Sequence, residues 1–395
     1  MRITHIRTSG AGSPFAGALL VLAVAACTGC NHDKPFEPKT GSVDTTRTRG
    51  TSRQLTYNLG ADVRPAWRPD GSGVLFAFED LGRDSSPHDP GSHRDTDLCL
   101  SLMLPTGGMI AKKVCGISVG SLDSIDTFFE AAENSEGRLL YDRESSVGSS
   151  LTPSSAALVL SSLIDPNQYT TIRPYPYPAP DGTIHQGIGY VRWLSATTAI
   201  YLGQQVLYPR PCNGCPADTV RMGLDLVKLD LSGTTPSISI IPNTHDASSV
   251  AVNPQGGGIF FTKNGDSRVF QIDPATSNVT IVHDFGALGI ARDVQVSGTR
   301  MIAVVGGRVS YGDIPGLGTI QKDASGVLWE VDLTNGNAID LTVTDRWFRR
   351  PALSPAGDRL VAEGYFARIS SCSPPFGCLD TTVGRDPDLW LFDLP

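Results

Sequence analysis

The stretch RPAWRPDGSGVLFAF, from Arg64 to Phe78, decides how this chain folds. Two short apolar runs flank a Pro-Asp-Gly turn. Pro69 presets the backbone at one corner of that turn, and Gly71 takes the left-handed conformation at the other. A strand, a tight turn and a second apolar strand make a β-hairpin. The unit recurs along the chain. RPALSPAGDRLVAEG begins at Arg350 and SVAVNPQGGGIFFTK at Ser249, while looser copies with the same hydrophobic pattern run Thr127 to Tyr141, Tyr190 to Leu202 and Asp293 to Val305. A unit repeated in this way decides the architecture ahead of any local propensity.

Outward from each hairpin comes a third strand: Leu226 to Asp230, Val269 to Asp273, Leu328 to Asp332 and Leu389 to Asp393. Apolar residues alternate in these segments, as a half-buried strand requires, and a closing Asp leads into a turn. Leu98 to Leu104 and Ala157 to Leu163 fill the same slot without the Asp. A fourth strand follows at about Ile110 to Val114, Tyr169 to Ile172, Ser237 to Ile241, Val279 to Val282 and Ala338 to Leu341. The last repeat has no fourth strand, but Arg53 to Thr56 supplies an extra one ahead of the first hairpin. If that strand completes the last blade, the ring closes and no long edge stays unpaired. The expected fold is all-β: a propeller of six four-stranded blades closed by the N-terminal strand, spanning residues 51–395. Five blades with a misread insertion, or seven with one missed, are the alternatives.

These residues carry a resemblance. The RPAWRPDG and RPALSPAG hairpins, with the Leu389-Trp-Leu-Phe-Asp393 type of third strand, resemble the WD40-like repeat of the TolB-like six-bladed propellers. The resemblance covers about Arg53 to Pro395 and is specific for fold. For function it implies little, because such blades serve in scaffolds, sensors and the side domains of hydrolases. The periplasmic TolB propellers usually carry an additional small α/β domain at the N-terminus, whereas only a tether fits before Arg53.

That N-terminal part reads as an address. Arg2 and Arg7 precede an apolar run of about 12 residues, Phe15 to Ala26, short of the roughly 20 that span a bilayer. Val24-Ala25-Ala26-Cys27 resembles the lipobox of bacterial lipoproteins, so residues 1–26 are expected to be a signal peptide and Cys27 the acylated anchor; ordinary secretory cleavage at the same small residues is the alternative. Several acyl chains on one residue hold a protein stably where one would not. Thr28, in place of Asp, favours the outer membrane by resemblance to enterobacterial sorting. Residues 27–50 are polar and rich in Thr, Pro and Gly, the composition of a flexible tether. The expected location is the cell envelope, facing the periplasm, with the lipid as sole membrane contact. The formal net charge of −8 becomes two units more negative when Arg2 and Arg7 leave, which disfavours nucleic acid and suits a basic or neutral partner.

Beyond Cys27 and Cys30, six of the eight cysteines fall into local pairs: Cys99 with Cys115, Cys212 with Cys215, and Cys372 with Cys378. In an exported protein that pattern reads as disulfides. Cys212-Asn-Gly-Cys215 would need two more ligands to hold zinc and a βα setting to act in redox chemistry. The surplus length of the chain lies between second and third strands: Glu79 to Thr96, Gln204 to Met222, Gly306 to Ser325 and Tyr365 to Pro387. Connections this long on one face mark a surface for a protein or peptide partner of a monomeric binding or scaffold protein. His88, Asp89, His93, Asp95 and Asp97 cluster in the first of them, in a context that reads as a solvated loop. Asp62, Asp126, Asp246, Asp293 and Asp345 each precede a channel-lining strand. They suggest an acidic rim or, by resemblance to lactonase-type propellers, a Ca²⁺ site of an enzyme or small-ligand binder. Their offsets from the hairpin turns differ, so convergence does not follow. Gly116-Ile-Ser-Val-Gly120 matches a nucleophile elbow in letters only, since no strand-to-helix turn surrounds it. No catalytic constellation and no resident cofactor is expected.

Overall fold

The computed structural model describes residues 51–57, 61–79, 98–115, 124–147, 155–175, 177–178, 183–207, 222–306, 308–314, 318–323, 326–341, 346–366 and 387–395. Strand β1 is Thr51–Gln54. The first blade is β2 (Asp62–Trp67), β3 (Val74–Glu79), β4 (Leu98–Met103) and β5 (Ala111–Cys115). The second is β6 (Ser124–Glu133), β7 (Arg138–Val147), β8 (Ser155–Ser162) and β9 (Thr170–Tyr175). In the third, β10 (Tyr177–Pro178) adds to the inner edge of β11 (Thr183–Trp193), β12 (Thr198–Leu207), β13 (Met222–Asp230) and β14 (Ser237–Ile240). The fourth is β15 (Ala247–Asn253), β16 (Gly257–Lys263), β17 (Arg268–Ile272) and β18 (Val279–Asp284). The fifth runs β19 (Ile290–Ser297), β20 (Arg300–Gly306), β23 (Val327–Asp332) and β24 (Ala338–Asp340), with a separate hairpin of β21 (Arg308–Ile314) and β22 (Gly318–Asp323) between its second and third strands. The sixth is β25 (Arg346–Leu353), β26 (Arg359–Phe366) and β27 (Asp388–Asp393).

The ring closes as the repeat arithmetic requires. β1 lies antiparallel to β27, with Thr51 opposite Asp393 and Gln54 opposite Trp390, and so becomes the fourth strand of the sixth blade. The blades number six, which removes the five- and seven-blade alternatives. Two expectations need correction. Gln204 to Leu207 belong to β12 rather than to an insertion, because pairing with β13 continues to Val206–Met222. The stretch from Gly306 to Ser325 is not featureless either, since it contains the β21–β22 hairpin.

The hairpin turns follow their chemistry. Gly71, Gly137, Gly256 and Gly357 donate to the carbonyls of Arg68, Asn134, Asn253 and Ser354, each at φ between 70° and 86°. A side chain at that angle would be strained, so glycine closes all four turns.

Six apolar clusters hold the ring, one between each pair of neighbouring blades. The second strand of a blade serves two of them at once. Met301, Ala303 and Val305 of β20 pack against the fourth blade, and Ile302 and Val304 against the sixth. That is why the second strands read as continuous apolar runs rather than as alternations. Polar clasps add direction. The Trp67 indole donates to the Ala352 carbonyl at 2.8 Å, and Trp193, at the equivalent place in its blade, donates to Ala132 at 3.0 Å. Arg68 reaches Glu133 of the next blade at 2.6 Å. The disulfide expected in the first blade is present: Cys99 and Cys115 stand opposite each other on β4 and β5 and are bonded.

Candidate functional site

The innermost strands share a deviation that positions the centre of the molecule. In all six of them, pairing with the second strand slips by one residue at the same place: between Val63 and Ala66, Phe128 and Ala131, Gly189 and Arg192, Ala247 and Ser249, Ala291 and Asp293, and Arg349 and Ala352. Each slip inserts one residue on the channel side, which makes it a β-bulge that re-aims a side chain. Three of the inserted residues hold left-handed backbones without being glycine: Arg64 at φ 58°, Tyr190 at φ 56° and Arg350 at φ 45°. Strain of this kind persists where the surroundings fix it, and here a buried charge network does so.

Glu130 is the hub of that network. Its carboxylate accepts from Arg192 Nη1 at 2.6 Å, from Arg350 Nη1 at 3.0 Å and from the Tyr190 backbone N–H. Burial alone would raise its pKa, but Arg192, Arg350 and Arg64 outweigh it and hold the group below the ordinary value. The Tyr190 phenol donates to Asp293, whose other oxygen accepts the Arg350 N–H at 3.0 Å. Burial and the carboxylates beside it push the phenol's pKa up, so it stays a donor. The Arg350 guanidinium lies 3.9 Å from the Tyr190 ring centroid, a cation–π contact. Burial works against its charge, yet Tyr190, Glu130, Asp293 and Glu363 together raise its pKa. Arg64 is lowered by burial and by Arg350, with Glu130, Glu363 and Asp142 opposing, and its N–H donates to Glu363 at 2.6 Å. Five blades thus meet at the axis through hydrogen-bonded polar groups.

The sequence-expected residues fall in separate surroundings. Asp293 joins the network as an acceptor. Asp62, the first residue of β2, is buried, and its N–H donates to the Pro387 carbonyl at 2.8 Å. Asp246 is exposed just before β15, with His245 Nε2 at 3.5 Å. Asp126 lies in β6, with its side chain outside the described set. Asp345, Cys27, Cys212, Cys215, Cys372, Cys378, the His88 to Asp97 cluster and Gly116 to Gly120 lie outside the described residues. Of these aspartates, Asp293 is the one placed in the network of mixed charge at the centre. Among the described residues, no group of three or more His, Cys, Asp or Glu side chains is arranged to hold a metal ion. Sequence reasoning missed Glu130, Tyr190, Arg192 and Arg350. The available signal was the Arg-Pro pair that opens both clear repeats, at Arg64 and Arg350.

The long connections leave the ring on one face. Those from β3 to β4, β12 to β13, β20 to β23 and β26 to β27 all join second to third strands, so they emerge opposite the hairpin turns. The molecule is a six-bladed β-propeller with a charge-paired centre and one elaborated face. No family model matches the chain and no curated protein matches it. Solved structures that it resembles include a gluconolactonase from Xanthomonas campestris, at 13% identity over 89% of this chain and 93% of that one, with a TM-score of 0.50. TolB from Acinetobacter baumannii is 11% identical over 82% and 64%, with a TM-score of 0.48, and a puromycin hydrolase is 12% identical over 86% and 57%, at 0.46. The chain spans less than two thirds of the TolB and hydrolase chains. The likeness is one of fold, that of a six-bladed propeller.

Proposed function

We propose that the chain is a binding module of the bacterial cell envelope, held by a lipid on Cys27 in the outer membrane and facing the periplasm. It presents its elaborated face to a protein or peptide. The observation that carries this reading is that four long connections leave the closed ring from the ends of its second strands, on one rim. Connections on a fixed scaffold can build a wide contact surface without disturbing the fold, and local Cys212/Cys215 and Cys372/Cys378 bridges would lower the cost of ordering them. The inner groups Glu130, Arg192, Arg350, Tyr190 and Asp293 satisfy one another, as a structural hub does. The alternative is a Ca²⁺-dependent lactonase-type enzyme or small-ligand binder using acidic residues at the channel, which metal analysis of the purified protein would test.

The test is photo-crosslinking in intact cells with probes placed in the four connections, followed by mass spectrometry. One dominant crosslinked protein, lost when residues 368–385 are replaced by a short Gly-Ser linker, is the expected result. Capture that survives replacement of each long connection overturns the reading.

A further inference from the structure

A cavity lies beside the charge network. On the side of the long connections the channel holds a cavity of about 310 Å³, at the lower end of the ~300–1,000 Å³ typical of small-molecule pockets. Its walls come from four blades. Lys263 stands at the end of β16, where the second-to-third connection of the fourth blade is only a tight turn, and Arg292 is the bulge residue of β19. Arg349 and Arg350 come from β25, and Tyr190 and Asp293 line the inner side. Four basic residues and one carboxylate thus line the cavity, and the Arg350 guanidinium is already held by Glu130. That carboxylate, Asp293, already accepts from the Tyr190 phenol and the Arg350 N–H. Leu202 and Leu224 supply an apolar wall on the other side.

We propose that this cavity binds an organic carboxylate, with the carboxylate between Lys263 and Arg292 and its apolar body against Leu202 and Leu224. Positive charge concentrated in a concave, low-dielectric wall draws anions from solution. A guanidinium fork matches a carboxylate in two parallel hydrogen bonds. The apolar wall selects within that class, because an inorganic anion would leave Leu202 and Leu224 facing water, whereas a carboxylate with a hydrocarbon body covers them. The Lys263 ammonium is already steered by its contacts with the Phe261 and Phe270 rings, 5.8 and 5.4 Å from their centroids. This site differs from the elaborated rim, and its occupancy needs no protein partner.

The experiment is isothermal titration of the purified full chain with 3-phenylpropionate, its neutral amide and sodium sulfate. The acid is expected to bind at least ~10-fold more tightly than the amide, the difference expected for one charge-assisted hydrogen bond. Lys263→Gln and Arg292→Gln are each expected to weaken the acid ~5- to 10-fold, and melting temperatures recorded alongside separate lost binding from lost folding. A peptide ending in Phe, with a free or an amidated C-terminus, distinguishes the two sources of the carboxylate. Tighter binding of the free-ended peptide than of the small acid assigns the site to a chain terminus, and the reverse assigns it to a free metabolite-sized acid. Failure of both carboxylates to bind, equal affinity for sulfate, or full affinity in both variants overturns the proposal. None of these readouts involves partner capture, so the partner reading stands or falls separately.

Discussion

Replacing Glu130 by Gln tests whether the charge network holds the ring together or merely fills it. The substitution keeps size and one acceptor oxygen but removes the negative charge. An amide N–H₂ then faces the guanidinium groups that the carboxylate bound at 2.6 Å from Arg192 and 3.0 Å from Arg350. Both arginines keep their charge in a site from which water is largely excluded. Hydrogen bonds to charged groups contribute roughly 1.5–3 kcal/mol each, and removing one member of a buried ion pair typically costs about 3–5 kcal/mol. With two such bonds weakened, the expected loss is about 3–5 kcal/mol, a large share of the ~5–15 kcal/mol that usually separates folded from unfolded chains. The assay is equilibrium unfolding in urea, with the midpoint falling and the slope unchanged. Asp266→Asn is the comparison: its pair with Arg268 at 2.6 Å is partly exposed and should contribute no more than ~1 kcal/mol. Arg350→Met should cost less in the Glu130→Gln background than alone, because the two groups share one network. A loss below ~1 kcal/mol for Glu130→Gln would refute the reasoning and reduce the network to filling.

Three other outcomes follow from the same structure. Trp67→Phe removes the indole donor to the Ala352 carbonyl between the first and sixth blades, and Trp193→Phe does the same between the third and second. Each should lower stability by about 1–3 kcal/mol in urea, and by similar amounts, because the positions are equivalent. Replacing Cys99 and Cys115 together by Ser opens a loop of sequence separation 16, which should lower the denaturation midpoint by an amount equivalent to about 2–4 kcal/mol. Hydrogen bonds from Ser232, Ala275 and Thr334 hold Asp230, Asp273 and Asp332 below the ordinary carboxylate value of 3.8. A depressed folded pKa means their contribution is complete above about pH 4 and fades as pH falls through the folded values. The triple Asn variant should therefore show a flatter loss of stability below pH 4 in an acid titration followed by circular dichroism.

Most of the architecture was legible because each blade repeats a local solution. Pro69–Gly71 and Pro355–Gly357 specify their turns by backbone geometry alone, and the terminal Asp of the third strands announced the turn it later caps. Closure by β1 was legible because one strand was missing at one end and spare at the other. The charged centre was hidden for a physical reason. A bulge adds one residue without changing the apolar pattern on either side, so Glu130 and Tyr190 look in sequence like ordinary strand residues. Their partners lie 60 to 220 residues away, a separation that no local pattern records. The aspartates stand near strand starts at differing offsets, with Asp62 buried, Asp246 exposed and Asp293 in the central network.

The bulges also bear on how such a protein can change. The ladder resumes its register on both sides of each inserted residue, so the strand-to-strand hydrogen bonds of the blade do not involve the side chain that the bulge carries. Six positions, one per blade, are in this sense surplus to the sheet and converge on a common axis. Arg64, Tyr190, Arg292 and Arg350 are the current occupants of four of them. A lineage could exchange them as a set and give the same scaffold a different interior chemistry. The outer hairpins and the blade-to-blade clusters would not need to alter.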